Sequence, residues 1–273
     1  MSDRLIICAD DFGRSRMIDE GILELARMGH VTAVSVMVAE RRSPVTAHRL
    51  AMIDDIDIGL HITLSDGVAL ATLGAHGMAD RLPDIDDLTV RAFVGKLSLT
   101  DIGIEVEAQF KRFQQIFGRA PDFVDSHQHA HILPGIRRVV LSATQRHAPH
   151  AWIRTCESSL LRSVMRGVDF GRAWRSSLLS AGLRKQAHQL GLRTNDDFAG
   201  LYDFQAFLDY EDKFPRFLDH SHGRNHLVIC HPAAGLDRTD PIGAARFVEF
   251  DFLRQTDLAR LAAERGLTLG RFA

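Results

Sequence analysis

Short apolar runs alternate along this chain with longer stretches whose apolar residues recur every three or four positions. LIICA, at residues 5–9, predicts a first strand. SRMIDEGILELARMG follows, with Met17, Gly21, Leu25 and Met28 at helical spacing and Gly29 as a stop. The β-branched run VTAVSVMVA predicts a second strand, a short helix is expected over residues 44–51, and IDIGLHITL predicts a third strand. Residues 65–87 break the rhythm. Gly67, Gly74, Gly77 and Pro83 punctuate a segment with little periodicity, and so long a stretch without structure is expected to be functional or mobile.

The alternation then resumes. IEVEAQFKRFQQIFG predicts an amphipathic helix with Val106, Phe110, Phe113 and Phe117 as its stripe and Gly118 as its end. PDFVDSHQH reads as strand four, Pro134 as the opening of a helix through IRRVVLSATQRHA, and AWIRTC as strand five. Residues 157–193 are helical without clear boundaries, and RTNDDF marks a short sixth strand. FQAFLDYEDKFPRFLDH predicts helix broken near Pro215, HLVICHP strand seven, RFVEFDFLRQTDLARLAAERG one long helix, and LTLGRF strand eight.

Seven or eight such alternations predict βα units around a mostly parallel sheet. No compositional break divides residues 1–273, so they read as one α/β domain. A closed or nearly closed, TIM-like (β/α) barrel is favoured over an open doubly wound sheet. ADDFG places carboxylates after strand one, where a dinucleotide fold would carry GxGxxG.

Composition narrows the partners. The 33 Lys and Arg against 35 Asp and Glu give a net charge of −2, and there is no long basic tract, so no nucleic-acid partner is expected. Arg41-Arg42 and Arg137-Arg138 read as solvated faces. Cys8, Cys156 and Cys230 form no CxxC pair, and their odd number speaks against a disulfide framework or a cysteine zinc site. They are expected to be buried thiols in a reducing compartment. No apolar run is long enough for a membrane span and no signal peptide is visible, so a cytoplasmic protein is expected.

The chemistry is positional. Strands end in Asp10-Asp11, His61, Asp125-Ser126-His127 and His231, and in a parallel barrel such ends meet on one face. Two adjacent aspartates repel unless a cation or proton neutralises them, and on an extended backbone they point apart, so different roles are expected. His61 lies in an apolar strand and needs a partner there. In DSHQHAH, an extended backbone would put His127, His129 and His131 on one side, with His127 and His131 roughly 13 Å apart, too far to share one ion. His231 is a candidate proton donor. Two or three histidines with one aspartate suit zinc, cobalt or nickel, whereas magnesium prefers oxygen ligands. With a second carboxylate as proton acceptor, this is equipment for metal-assisted hydrolysis of an amide, ester or phosphoester.

LIICADDFG, DEGILELARMGHVTAVSVMV, GLHITL, PDFVDSHQHAHILPG and the late HP resemble the YdjC-like carbohydrate deacetylases, which include chitooligosaccharide deacetylases and a hopanoid-biosynthesis-associated branch. The resemblance runs from near residue 4 to roughly residue 270. It implies a barrel related to polysaccharide deacetylases, often dimeric, in which a metal-activated water removes an N-acetyl group from an amino sugar. It implies Asp11, His61 and His127 as metal ligands, Asp10 as catalytic base and His231 as acid. Asp125, His129 and His131 then support the ligands or the substrate. The ion that this resemblance implies is zinc or magnesium, with zinc slightly ahead on ligand chemistry. The substrate it implies is a small acetylated carbohydrate or a sugar-bearing lipid. This chain reads HPAAG where many members read HPG, and neither residues 65–87 nor the segment around Trp174 carries a recognisable sugar-binding signature. The competing readings are a phosphoesterase or other amidohydrolase, and a non-catalytic sugar- or metal-binding protein.

Overall fold

The sheet is built around β1 (Asp3–Phe12). Residues 5–9 have no exposed surface, which is why LIICA is apolar at every position rather than at alternate ones. On one side β1 pairs in parallel with β8 (Asn225–Cys230). On the other it pairs with β9 (Leu267–Leu269) at its start and with β2 (Ala33–Val36) towards its end. The computed structural model describes residues 3–39, 44–71, 81–167 and 170–273; Arg41-Arg42, Gly74, Gly77 and the Trp174 side chain lie outside what is described.

From β2 the sheet continues through β3 (Asp57–Ile62), β4 (Phe123–Ser126) and β5 (Trp152–Ile153) to β6 (Arg193–Thr194), and beyond β8 it ends in β7 (Asp197–Ala199). Every pairing between these strands is parallel. The end strands β6 and β7 are separated in the chain only by Asn195 and Asp196, so the two edges of the curled sheet meet in one bent segment. Asn195 fastens the bend: its amide accepts from Thr155 N–H at 2.7 Å and donates to the carbonyls of Thr155 and Asp197 at 3.0 Å each. The α/β barrel expectation therefore holds, and the open doubly wound sheet does not.

The helices are α1 (Arg16–Arg27), α2 (Pro44–Ala51), α3 (Ile85–Phe93), α4 (Leu99–Phe117), α5 (Ile136–His147), α6 (Leu160–Arg166), α7 (Phe170–Gln189), α8 (Tyr210–Leu218), α9 (Gly243–Gln255) and α10 (Leu258–Ala263). Helix α1 buries Ile18, Gly21, Ile22 and Leu25, while Met17 and Met28 stay outside, so the inward face is turned from the one the spacing predicts. A Cβ on Gly21 would stand 2.7 Å from Ala234 N, and this close approach admits only glycine. The quiet segment ends earlier than expected, because Asp84 caps α3 by accepting from Asp87 N–H at 2.8 Å.

Two further expectations are corrected. Pro215 lies inside α8, and the break falls at Asp209, where a 3-10 turn (Phe204–Asp209) gives way to the helix. The predicted long C-terminal helix is two, because Asp257 caps α10 by accepting from Arg260 N–H at 3.0 Å. An internal cap can start a new helix as readily as it starts an isolated one.

Asn195→Ala should cost about 2–4 kcal/mol, because it strands the buried amide of Thr155 and two carbonyls. Urea unfolding checks this; an unchanged midpoint would show that the bend needs no such fastening.

Candidate metal centre

Asp10 and Asp11 do not simply alternate across β1. Its register against β2 shifts between Ala9 and Phe12, and Asp11 has φ 71°. Both carboxylates are buried and each meets its own arginine. Arg154, just beyond β5, donates to both oxygens of Asp10 at 2.6 Å. Arg246, on α9, donates to Asp11 Oδ2 at 2.6 Å. Asp11 Oδ1 stands 3.3 Å from His61 Nε2 and 3.0 Å from His127 Nδ1.

His61 is oriented from behind. Its Nδ1 lies 2.8 Å from Asp125 Oδ1, which also accepts from Ser35 Oγ at 2.5 Å, and Asp125 Oδ2 forms an ion pair with Arg154 Nη2 at 2.5 Å. Strand pairing enforces this arrangement, since His61 and Asp125 face each other in the β3–β4 register. Tying Nδ1 to a carboxylate leaves Nε2 free to point at Asp11, which is how a metal-ligating histidine is commonly held.

The histidine run is not extended. β4 stops at Ser126, and His127–Ile132 forms a 3-10 turn in which Gln128 and His129 have φ 50° and 58°. The expectation of three histidines aligned on one side is therefore corrected, because the chain must leave the sheet at once. His127 stays with Asp11. His131 turns inward, with Nδ1 2.8 Å from Ser126 Oγ and Nε2 3.0 Å from Arg154 O, so both ring nitrogens are engaged. His129 packs edge-on against Phe198, with ring centroids 5.8 Å apart, and lines the cavity. His231, at the end of β8, brings Nε2 to 3.9 Å from Asp10 Oδ2.

The charges follow from these contacts. Burial would raise Asp10, but Arg154 outweighs it and holds the carboxyl well below its usual range. Burial would likewise raise Asp11, and Arg246 and His127 overcome it. Burial disfavours charge on His61, yet Asp125 and Asp11 lift its pKa to about 10. For His231 burial wins over the attraction of Asp10 and Asp11, and its pKa falls to about 4.

Asp11, His61 and His127 offer one ligand atom each within 4.8 Å of one another, and all three are buried. One carboxylate oxygen and two imidazole nitrogens fit a zinc-type cation. A second cluster, Cys8 with Asp10 and Asp125, is no such site, because the Arg154 guanidinium already reaches all three. The cavity holds about 1240 Å³ and has Asp10, Asp11, His61, His127 and His231 in its wall, with Arg14 beside His127 Nε2 at 3.0 Å.

Arg154, Arg246 and Glu249 escape a reading that looks only for acids and histidines at strand ends. Arg154 had a signal, a lone charge in the apolar run AWIRTC. Arg246 and Glu249 lie on a helix whose pattern gives none.

The fold and site together define an α/β barrel with a buried Asp-His-His cluster at its strand ends. The chain belongs to the YdjC-like protein family, which it matches over residues 4–264. It is 30% identical to a chitooligosaccharide deacetylase of Yersinia pestis (strain Pestoides F), over 100% of this chain and 99% of that protein. A carbohydrate deacetylase of Mus musculus is 37% identical over 147 residues, 52% of this chain and 47% of the mouse protein, so the chain spans about half of that relative. A proposed cellobiose-phosphate cleavage protein of Enterococcus faecalis V583 shares the fold, with a TM-score of 0.74 at 21% identity, covering 99% of this chain and 98% of that one.

Arg154→Met leaves Asp10 and Asp125 buried without their cation and should cost about 3–5 kcal/mol at neutral pH. Because Arg154 holds the folded pKa of Asp10 below the unfolded one, that stabilisation is complete above roughly pH 4 and drains away as pH falls further. The deficit of Arg154→Met, measured by urea unfolding with chelator present, should therefore shrink towards pH 3. A deficit independent of pH would mean that the arginine acts by packing.

Proposed function

We propose that this protein hydrolyses the N-acetyl group of an acetylated amino sugar or a short oligosaccharide, using one divalent ion held by Asp11, His61 and His127. The observation that carries the reading is the buried Asp11–His61–His127 cluster opening, beside ionised Asp10, onto a cavity of about 1240 Å³. That volume exceeds the roughly 300–1,000 Å³ of a site for one small ligand, so there is room for more than one sugar ring. The names of the Yersinia pestis and Mus musculus relatives support the same chemistry.

When bound, the ion supplies a Lewis acid for the acetyl oxygen and makes water more acidic. The two nitrogen ligands favour zinc over magnesium. Asp10 takes the proton of the attacking water: Arg154 keeps it ionised and fixes both of its oxygens. His231 gives a proton to the departing amine. It rests neutral, so the proton that Asp10 takes must first reach it; the two lie 3.9 Å apart, a gap that one bridging water or a small ring movement would close. Asp125 takes no proton in this scheme; it aims His61. His131 holds the main chain of Arg154 and so sets the base at one remove.

Acetate release from di-N-acetylchitobiose by zinc-loaded protein, run beside a phosphoester panel, tests the reaction. Phosphate without acetate would end the proposal, and sugar binding without turnover would favour a non-catalytic role. Asp11→Asn should lose metal by elemental analysis. Asp10→Asn should retain it and lose ~10²–10⁴ of the rate; equal metal loss in both would make both ligands.

His127→Ala should lose metal and activity together. His131→Ala should keep the metal and lose about 10–100-fold in activity through its contact with Arg154. Retention in the first variant with loss in the second would reverse these roles.

A further inference from the structure

His231 differs from the other residues of the centre in how it is held. Its Nδ1 is buried with no hydrogen-bond partner among the described residues, and its Nε2 is 3.9 Å from the nearest Asp10 oxygen, beyond hydrogen-bond reach. Among the described residues no carboxylate grips the ring as Asp125 grips His61. The main chain is gripped instead. Its N–H donates to Glu249 Oε2 at 2.5 Å, and its carbonyl accepts from Arg246 Nη1 at 3.5 Å. The ring then leans edge-on against Phe204, with centroids 5.2 Å apart at 89°.

Glu249 is wholly buried on α9, one turn beyond Arg246. Its other oxygen accepts from Tyr202 Oη at 2.7 Å, so both of its partners are donors and a full carboxylate suits them. Burial pushes its pKa up to about 7, against the pull of those two donors. The metal and base chemistry has no use for this group, and an unneeded buried carboxylate is costly.

We propose that Glu249 is a positioning residue which, braced by Tyr202, clamps the main chain of His231 and so sets where its imidazole stands relative to Asp10. One helix face thus serves two parts of the centre, Arg246 steadying Asp11 and Glu249 steadying His231. The inference rests on the proposed role of His231 in hydrolysis, but the clamp itself is independent of that role.

Glu249→Met keeps the length of the side chain but removes both acceptor oxygens, so it should release the clamp. Tyr202→Phe removes only the brace. With zinc-loaded protein and di-N-acetylchitobiose, Glu249→Met should lower kcat about 10–100-fold, the loss expected for a displacement near 1 Å, with KM within about twofold. Zinc affinity should not change. Tyr202→Phe should lose less, and the double variant no more than Glu249→Met alone, because tyrosine acts through the carboxylate. In ¹⁵N-histidine spectra the His231 ring signals should be single and sharp in the parent and broadened or doubled in Glu249→Met.

Unchanged kcat together with unchanged ring signals in folded Glu249→Met would overturn the clamp. Loss of zinc affinity would also overturn it, by showing that Glu249 supports the metal ligands. Should Glu249→Met fail to fold, Tyr202→Phe gives the same reading in weaker form, and identical ring signals there would count against the clamp. If the parent released no acetate, the hydrolase reading would fail, while the ring spectra would still decide the clamp.

Discussion

A buried guanidinium is the part on which the rest of this centre depends. Arg154 neutralises Asp10 and Asp125 at once, and Asp125 in turn fixes His61, which faces Asp11. Without it, two carboxylates would share a dry space and at least one would take up a proton. A protonated Asp10 could not take up the proton that the proposed hydrolysis hands to it. Arg246 repeats the arrangement on the other flank, joining Asp11 to Asp240. The sheet supplies placement and the two arginines supply the charge state. Both are properties of the chain itself.

Backbone conformation does comparable work. Asp11, Gln128 and His129 all have positive φ, and all lie where a strand gives way to a turn that serves the cavity. L-residues visit this region reluctantly, and the cost is borne where surrounding contacts fix the outcome. At Asp11 three partners do so. At Gln128 the Ser65 hydroxyl donates to the side-chain oxygen at 2.7 Å, linking the histidine turn to the segment after β3.

Much of this was legible beforehand, for physical reasons. Strands buried on both faces leave unbroken apolar runs such as LIICA and LVIC, and their polar ends stand out sharply. Asp10, Asp11, His61, His127 and His231 were visible on that ground, and the structure brings them into one cavity wall. What was hidden depends on tertiary context. Nothing in DSHQHAH signals two left-handed residues, because the turn is imposed by the neighbours of Ser126 and His131. Pro215 tolerates a helix that its sequence argues against, and Thr256-Asp257 interrupts one that periodicity would run through. Arg246 and Glu249 look like any exposed helix charges until the fold brings them to Asp11 and to the main chain of His231.

The strand that carries both aspartates is also the one whose partners come last in the chain. β1 begins at residue 3, yet two of its pairings are with residues 225–230 and 267–269. Contacts of such long separation form slowly, and an emerging chain must wait for them. During synthesis the apolar edge of LIICA is therefore a liability, open to any other strand that can pair with it. Arg246 and His231 arrive equally late, so Asp10 and Asp11 emerge long before the groups that complete their surroundings. A chain that has emerged only as far as the residues before 225 carries this open edge and no assembled centre.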